Sequence, residues 1–296
     1  MRKAYLQMHI AIVLWGFTAI LGKLISLDEG LLVWYRMLFS TVAMAVFLAV
    51  QKKQWKLPQG QFMPITLIGL VITLHWITFY GAIKASNVSI AISCFSSVAL
   101  FTAVMDPLLK GKRPKASELL LGLAVIAGIY IIFTGQKFYF KGIVLSVISA
   151  FLASLFTILN KRISNKIDPA VITFYELGTG FLLLSILLPA WMSYNASSFS
   201  LPDMRDLQYI LILSIFCTTV AFTLSLHALQ KIDAFTMNLS VNLEPLYSII
   251  LAFLIFKEHE LLTTQFYIGS ALILSAVVIH GIATMYQLKK RTREIN

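Results

Sequence analysis

Apolar stretches of about twenty residues follow one another along the whole chain, and they bound its fold more tightly than any motif does. They lie near 5–25, 31–50, 62–83, 88–109, 117–134, 142–160, 170–191, 208–228, 235–256 and 264–287. A helix needs about 20 residues to cross the hydrocarbon core of a bilayer. Turn chemistry separates the stretches: Asp28-Glu29-Gly30, Lys56-Leu57-Pro58, Gly111-Lys112-Arg113-Pro114 and Asp168-Pro169. At this length only a helix satisfies its own backbone in lipid. The expected fold class is therefore an all-α membrane protein with ten transmembrane helices. Charged residues make up 12% of the chain, against about 25% in a soluble domain. The first stretch is too long for a signal-peptide core and lacks a small-residue cleavage pattern, so it reads as a retained helix.

The formal net charge of +11 does not point to nucleic acid. A nucleic-acid footprint clusters on one soluble face, whereas these basic residues are scattered through short loops. Their distribution instead reports orientation. Of the Lys and Arg residues, Lys84, Lys137, Lys141, Arg205 and Lys257 fall in loops on one side, and Lys23 and Arg36 fall within spans. All the others lie on the opposite side, together with both termini. That side is expected to be the cytoplasm. The two cysteines, Cys94 and Cys217, lie inside apolar runs and read as small core residues. No metal or cofactor motif accompanies them.

The chain also matches itself. Ala82 through Lys112 aligns without a gap on Ala228 through Glu258, and Gly122 and Gly128 then fall over Gly269 and Ser275. Earlier in each half, Val33-Trp34-Tyr35-Arg36 falls over Thr173-Phe174-Tyr175-Glu176. Each copy holds five spans. An odd number forces the second copy to insert upside down, so the expectation is two inverted five-helix repeats, 5–135 and 141–287, followed by a basic cytoplasmic tail at 288–296. Inverted repeats of this kind are typical of alternating-access carriers, whose site lies near the midplane between the halves.

Two five-helix repeats of this length, Trp15-Gly16 in the first helix, and Leu243-Glu244-Pro245-Leu246 followed by Lys257-Glu258 resemble the EamA type of the drug/metabolite transporter superfamily. The resemblance covers about 6–134 and 141–285. It implies a carrier of the bacterial inner membrane, commonly an exporter of amino acids or other metabolites. It also implies a central cavity lined by the first four helices of each half, with the fifth peripheral. The first half departs from the pattern: Lys112 and Ser97-Val98-Ala99 stand where the second half has Glu258 and Leu243-Glu244-Pro245.

Ionisable residues inside a span are costly and by default face protein or a water-filled cavity. At 1.5 Å per residue, Glu244 lies about 13 Å into its helix, Arg36 about 8 Å from one boundary and Glu176 about 9 Å from the other. Those depths argue against direct contact between Arg36 and Glu176. Lys23 and Asp106 sit near helix ends and can snorkel. On a helical wheel Ser240, Glu244, Tyr247 and Ser248 form one polar stripe, and Asn238, Asn242 and Pro245 a second. A helix polar on two faces is expected deep in the bundle. Pro245 is expected to break it and free a carbonyl near Val241. Ser89, Ser93, Ser96 and Ser97 share a face of the fourth helix, Ser96 being the repeat counterpart of Asn242; close packing and a cavity lining both remain open for them. Trp15, His75, Trp76 and Tyr80 lie at mid-depth, away from the interfacial belts, as the walls of a small-molecule site would.

The candidate cavity-lining or substrate-binding residues are thus Trp15, Arg36, His75, Tyr80, Ser93, Ser96, Glu176, Asn238, Asn242 and Glu244, with Pro245 as a helix break. The expected function is secondary transport of a small metabolite, outward in direction, by rocking of the halves. Mixed inward charges suit a zwitterion such as an amino acid. The partners are the bilayer and a small-molecule substrate; a proton is the candidate coupling ion, through Glu244, and homo-oligomerisation is open. The alternatives are a membrane-embedded enzyme acting on a lipid or peptide, or a non-transporting scaffold. Against the enzyme stands the lack of H-E-x-x-H or of paired carboxylates on adjacent helical turns. Against the scaffold stands the want of a soluble domain, the longest loop being about 192–207.

Overall fold

The computed structural model describes residues 2–135, 139–241 and 243–295; the loop residue Lys137 and the candidate Asn242 lie outside them. The described residues are helical throughout, apart from turns and loops. The first half contains α1 (Arg2–Gly16), α2 (Thr18–Leu24), α3 (Glu29–Val50), α4 (Phe62–Ala85), α5 (Val88–Phe95), α6 (Val98–Leu109) and α7 (Ala116–Gly135). The second contains α8 (Phe140–Ile163), α9 (Pro169–Tyr194), α10 (Met204–Ser214), a π-helical turn (Ile215–Val220), α11 (Ala221–Leu229), α12 (Ala234–Val241), α13 (Glu244–Phe256) and α14 (Thr264–Ile295). Seven passes among the described residues are long and apolar enough to cross a membrane: 2–24, 29–50, 62–85, 88–109, 140–163, 169–194 and 204–229. Shorter apolar helices run over Leu119–Gly135 and Tyr247–Phe256. The chain is a multi-span membrane protein. The basic segment expected as a separate tail continues the helix of α14.

Most of the packing joins one half to the other. The strongest associations are α7 with α14, α4 with α8, α3 with α9, α4 with α9 and α1 with α11. Interchanging the halves maps α4–α8 onto the α1–α11 contact, α4–α9 onto α10–α3, and α3–α9 and α7–α14 onto themselves. The repeat seen in the sequence is therefore a repeat of contacts. Small residues set the closest approaches, as expected where helices pack without a hydrophobic drive between them. At the α7–α14 crossing a Cβ on Gly128 would stand 2.7 Å from the Gly269 carbonyl oxygen.

Both fourth helices are divided, at Ser96–Ser97 between α5 and α6 and, in the second half, into α12 ending at Val241 and α13 starting at Glu244. Pro245 is expected to break the helix and free a carbonyl near Val241, and α12 does end at Val241. Pro245 sits in the first turn of α13, where no intrahelical donor is lost, and the first-half break has no proline. At Ser97 the hydroxyl donates to the Cys94 carbonyl at 2.9 Å, which turns the chain locally. The deep burial expected of the ninth stretch holds for only part of it. Ala234, Met237, Asn238, Leu239 and Val241 of α12 are buried, whereas α13 exposes Tyr247, Ile250 and Leu254, the last at 75%.

The two ends of the bundle are tied differently. At the end carrying the N-terminus, Lys53 pairs with Asp168 at 2.7 Å, the Tyr175 hydroxyl donates to Trp55 O at 2.9 Å and Gln230 Nε2 donates to Ser164 O at 2.9 Å. Burial acts against ionisation of Asp168, but the hydrogen bonds from Lys53 and the Ala170 amide outweigh it and hold the carboxyl below its usual range. At the opposite end, Asp206 accepts from the Ser26 amide at 3.0 Å and hydroxyl at 2.6 Å. There Glu258, after a left-handed Lys257 (φ 54°), reaches the first turn of α5. It accepts from the amides of Val88 and Ser89 at 3.0 and 2.9 Å and from the Ser89 hydroxyl at 2.7 Å. Glu258→Ala leaves those buried donors unpaired and is expected to cost about 2–3 kcal/mol. Glu258→Gln, which keeps the acceptor oxygen, is expected to cost about 1 kcal/mol. Denaturant unfolding in detergent measures both.

Candidate functional site

A cavity lies between the halves at mid-depth and holds about 60 Å³. A water occupies roughly 10–15 Å³ by the same measure, so the space takes a few waters or a small organic group. Its walls come from α1 to α6 and from α8, α11, α12 and α13. Neither α7 nor α14 contributes, and α9 does not either, so one of the eight helices implied by the resemblance stands outside the wall. The lining runs from Arg36, Glu244 and Phe79 towards Asn160, Ser225 and Leu229 near the helix ends on the N-terminal side of the bundle.

Arg36 anchors one end. It is 1% exposed, and its guanidinium lies 3.7 Å from the centre of the Trp76 ring. Its Nε donates to Thr218 Oγ1 and its Nη1 to the Tyr80 hydroxyl, both at 2.7 Å. Thr218 is aimed by the π-helical turn. The wider turn lets Thr218 and Thr219 donate five residues back, to the carbonyls of Leu213 and Ser214 at 2.8 and 2.9 Å. That places the Thr218 lone pairs towards Arg36, a use of π-turns that recurs at functional sites. Arg36 forms no ion pair among the described residues. Nη2 has no hydrogen bond among them, and the residue lines the cavity. Glu244, 4% exposed and on the same wall, is the carboxylate whose charge acts on it.

Aromatic rings form the rest of the wall. Phe222 packs against Trp15, Trp76 and Phe156 with centroids 5.9, 5.6 and 6.0 Å away. His75 sits among Phe79, Phe95 and Phe156. Its Nδ1 is 3.0 Å from the Ser149 carbonyl oxygen, while the Ser149 hydroxyl donates back to the His75 carbonyl at 3.2 Å. With the proton on Nδ1, Nε2 is left as an acceptor for the cavity. Asn238 donates to Thr102 Oγ1 at 2.8 Å, and Thr102 pairs with Ser154 at 2.8 Å, which ties α12, α6 and α8 together under the site.

The structure thus gathers Trp15, Arg36, His75, Asn238 and Glu244 around one space. Four other candidates lie elsewhere. Tyr80 is one layer behind, holding Arg36. Ser93 pairs with Ser270 of α14 at 3.2 Å, and Ser96 bonds its own turn at Ile92, so both serve helix packing. Glu176 is fully buried and does not reach the cavity. Asn242 lies outside the described residues. Thr218, Phe222 and Asn160 were not singled out from the sequence. Only the counterpart relation of α4 to α11 would have drawn attention to Phe222. Among the described residues no group of three or more His, Cys, Asp or Glu is placed to hold a metal ion.

Comparison with known proteins bears on the same architecture. A solved protein structure shares the fold at TM-score 0.68, with 16% identity over 93% of this chain and 96% of its own. Two proteins of Archaeoglobus fulgidus, both described as uncharacterized transporters, are each 25% identical to it. One match covers 86% of this chain and 90% of the relative, the other 72% and 75%. The model of the EamA-like transporter family matches twice, over residues 2–134 and 140–282. Two matches in tandem, one per half, fill nearly the whole chain, and the chain belongs to the EamA-like transporter family.

Proposed function

We propose that this membrane transporter is a secondary carrier that exports small metabolites of the amino-acid class. In this reading ten spans form two inverted five-helix repeats in a bacterial inner membrane, with both termini cytoplasmic. Alternating access arises by rocking of the halves about the cavity. The loop charges support the orientation, and the interchange symmetry of the contacts supports the inversion.

One observation carries the substrate class: a buried guanidinium without a carboxylate partner shares an aromatic-walled cavity with a buried carboxylate. An unpaired cation is expensive in such a place. An α-amino acid satisfies both charges at once, its carboxylate on Arg36 Nη2 and its ammonium towards Glu244. Phe222, Trp15 and Phe156 then face its side chain, which favours apolar and aromatic substrates.

The test is counterflow of labelled amino acids into liposomes holding the purified protein. Exchange of apolar amino acids is expected. Glu244→Gln, which removes the charge facing the ammonium, is expected to raise the half-saturation concentration about tenfold or more. Liposomes that move sugar nucleotides but no amino acid would sink the assignment.

A further inference from the structure

Glu176 has no place in the substrate site, yet it is buried and forms no ion pair among the described residues. It is fully buried at the eighth position of α9. Neither of its carboxylate oxygens has a hydrogen bond of good geometry, although the Asn160 side chain approaches as a donor. The polar side chain facing it is Asn160 of α8, whose Oδ1 is also unpartnered, and Asn160 lines the cavity. Glu176 therefore stands one residue behind the wall, at the end of the cavity remote from Arg36.

The surrounding elements bring no counter-charge. Arg36 of α3 is held by Thr218 and Tyr80. His75 of α4 is turned to Ser149. On α8, Lys161 donates to the Leu229 carbonyl and Arg162 to that of Leu109. His227 of α11 bonds its own helix at Thr223, and Tyr175 of α9 reaches Trp55. Hydroxyls one turn away on α9 give no help either, since Thr173 and Thr179 donate to the carbonyls of Pro169 and Tyr175. A carboxylate so placed costs several kcal/mol if it stays charged and unpaired. Carboxyls kept inside a membrane bundle despite that cost mark ion and proton paths. A metal cation needs more oxygen ligands than Glu176 and Asn160 supply; a proton needs one.

We propose that Glu176 is the coupling-proton site of the carrier, taking its proton from cavity water past Asn160 and returning it there. This moves coupling away from Glu244 and frees that carboxylate for the substrate ammonium. Proton and substrate then bind at separate places along one cavity. The proposal rests on the carrier reading above, and one arm of its test does not.

That arm is an infrared pH titration of the purified protein in nanodiscs, which requires no substrate. The wild type is expected to show a protonated-carboxyl C=O band that vanishes with rising pH. Glu176→Gln is expected to lose that component, Glu244→Gln to keep it, and Glu176→Asp to restore it at a shifted position. An unchanged titrating band in Glu176→Gln overturns the proposal. In liposomes, Glu176→Gln is expected to lose about tenfold of the accumulation driven by a proton gradient while its amino-acid exchange stays within about twofold of wild type. Full gradient-driven accumulation in that variant overturns it equally. Failure of the wild type to exchange amino acids counts against the substrate reading alone, because the infrared arm stands without it.

Discussion

Arg36→Met is expected to leave the protein folded and to weaken substrate binding at least about 30-fold. Methionine fills much of the same volume, so little cavity opens. The change also relieves the cost of burying a cation that no carboxylate neutralises. Against this stand the lost contact with the Trp76 ring, about 2 kcal/mol when desolvated, and two hydroxyls that lose a donor. Thr218 keeps its bond to the Leu213 carbonyl, so the damage centres on Tyr80. The net loss of stability is about 1–2 kcal/mol. Binding loses the charge that would meet a substrate carboxylate, and about 2–5 kcal/mol with it, which is 30-fold to several thousand-fold in affinity. Arg36→Lys keeps the charge, but a single ammonium cannot serve Thr218, Tyr80 and a ligand from one planar fork. It is expected to bind about tenfold more weakly than wild type. Thermal unfolding and ligand binding measured on the same preparations separate the two effects. Normal binding in Arg36→Met would remove Arg36 from the site.

The second large effect is expected at Gly69, where α4 crosses α9. A Cβ there would stand 2.5 Å from the Glu176 carbonyl oxygen and 2.7 Å from Thr179 Oγ1. The first is backbone and cannot swing aside. Gly69→Ala must push the two helices apart, at about 3 kcal/mol, and Gly69→Leu is expected to yield no folded protein. Gly178, on the side of α9 that faces α3, supplies the control. Its Cβ would meet only Thr41 Cγ2, at 3.4 Å, which is ordinary contact. Gly178→Ala is expected to be neutral or stabilising by up to about 1 kcal/mol through helix propensity. Because α4 and α9 belong to different halves, Gly69→Ala is also expected to slow exchange beyond its effect on the amount of folded protein.

The spans were legible because lipid imposes a length. The stretch at 62–83 became α4 at Phe62–Ala85, and the stretch at 88–109 kept its bounds even with a break inside. The repeat was legible because both halves keep the same spacing. Of the cavity-lining candidates, Arg36 and Glu244 stood out by charge, Trp15 and His75 by their mid-depth position, and Asn238 by its place on a polar stripe. Phe222 did not, since an aromatic ring is at home against lipid and against a cavity alike. Periodicity gives no help when both faces of a helix are apolar. The break at Ser96–Ser97 and the π-turn that contains Thr218 carry neither glycine nor proline, and they follow from tertiary contacts that no local signal announces. The serine face of α5 misled for a related reason, as small hydroxyl residues suit a tight crossing and a wet wall equally well.

The Glu258 contact breaks the equivalence of the halves. One end of the bundle is fastened by a buried carboxylate on the first turn of α5. The corresponding turn of α12 is capped by its own Asp233, exposed, and Lys112 occupies the counterpart of Glu258. A molecule whose two closures were alike would divide its time evenly between facing one compartment and the other. Unequal fastenings tilt that division, tenfold for about each 1.4 kcal/mol. In the rocking cycle proposed above, the carrier would then rest with one door shut, and the work of a cycle would fall mainly on opening it.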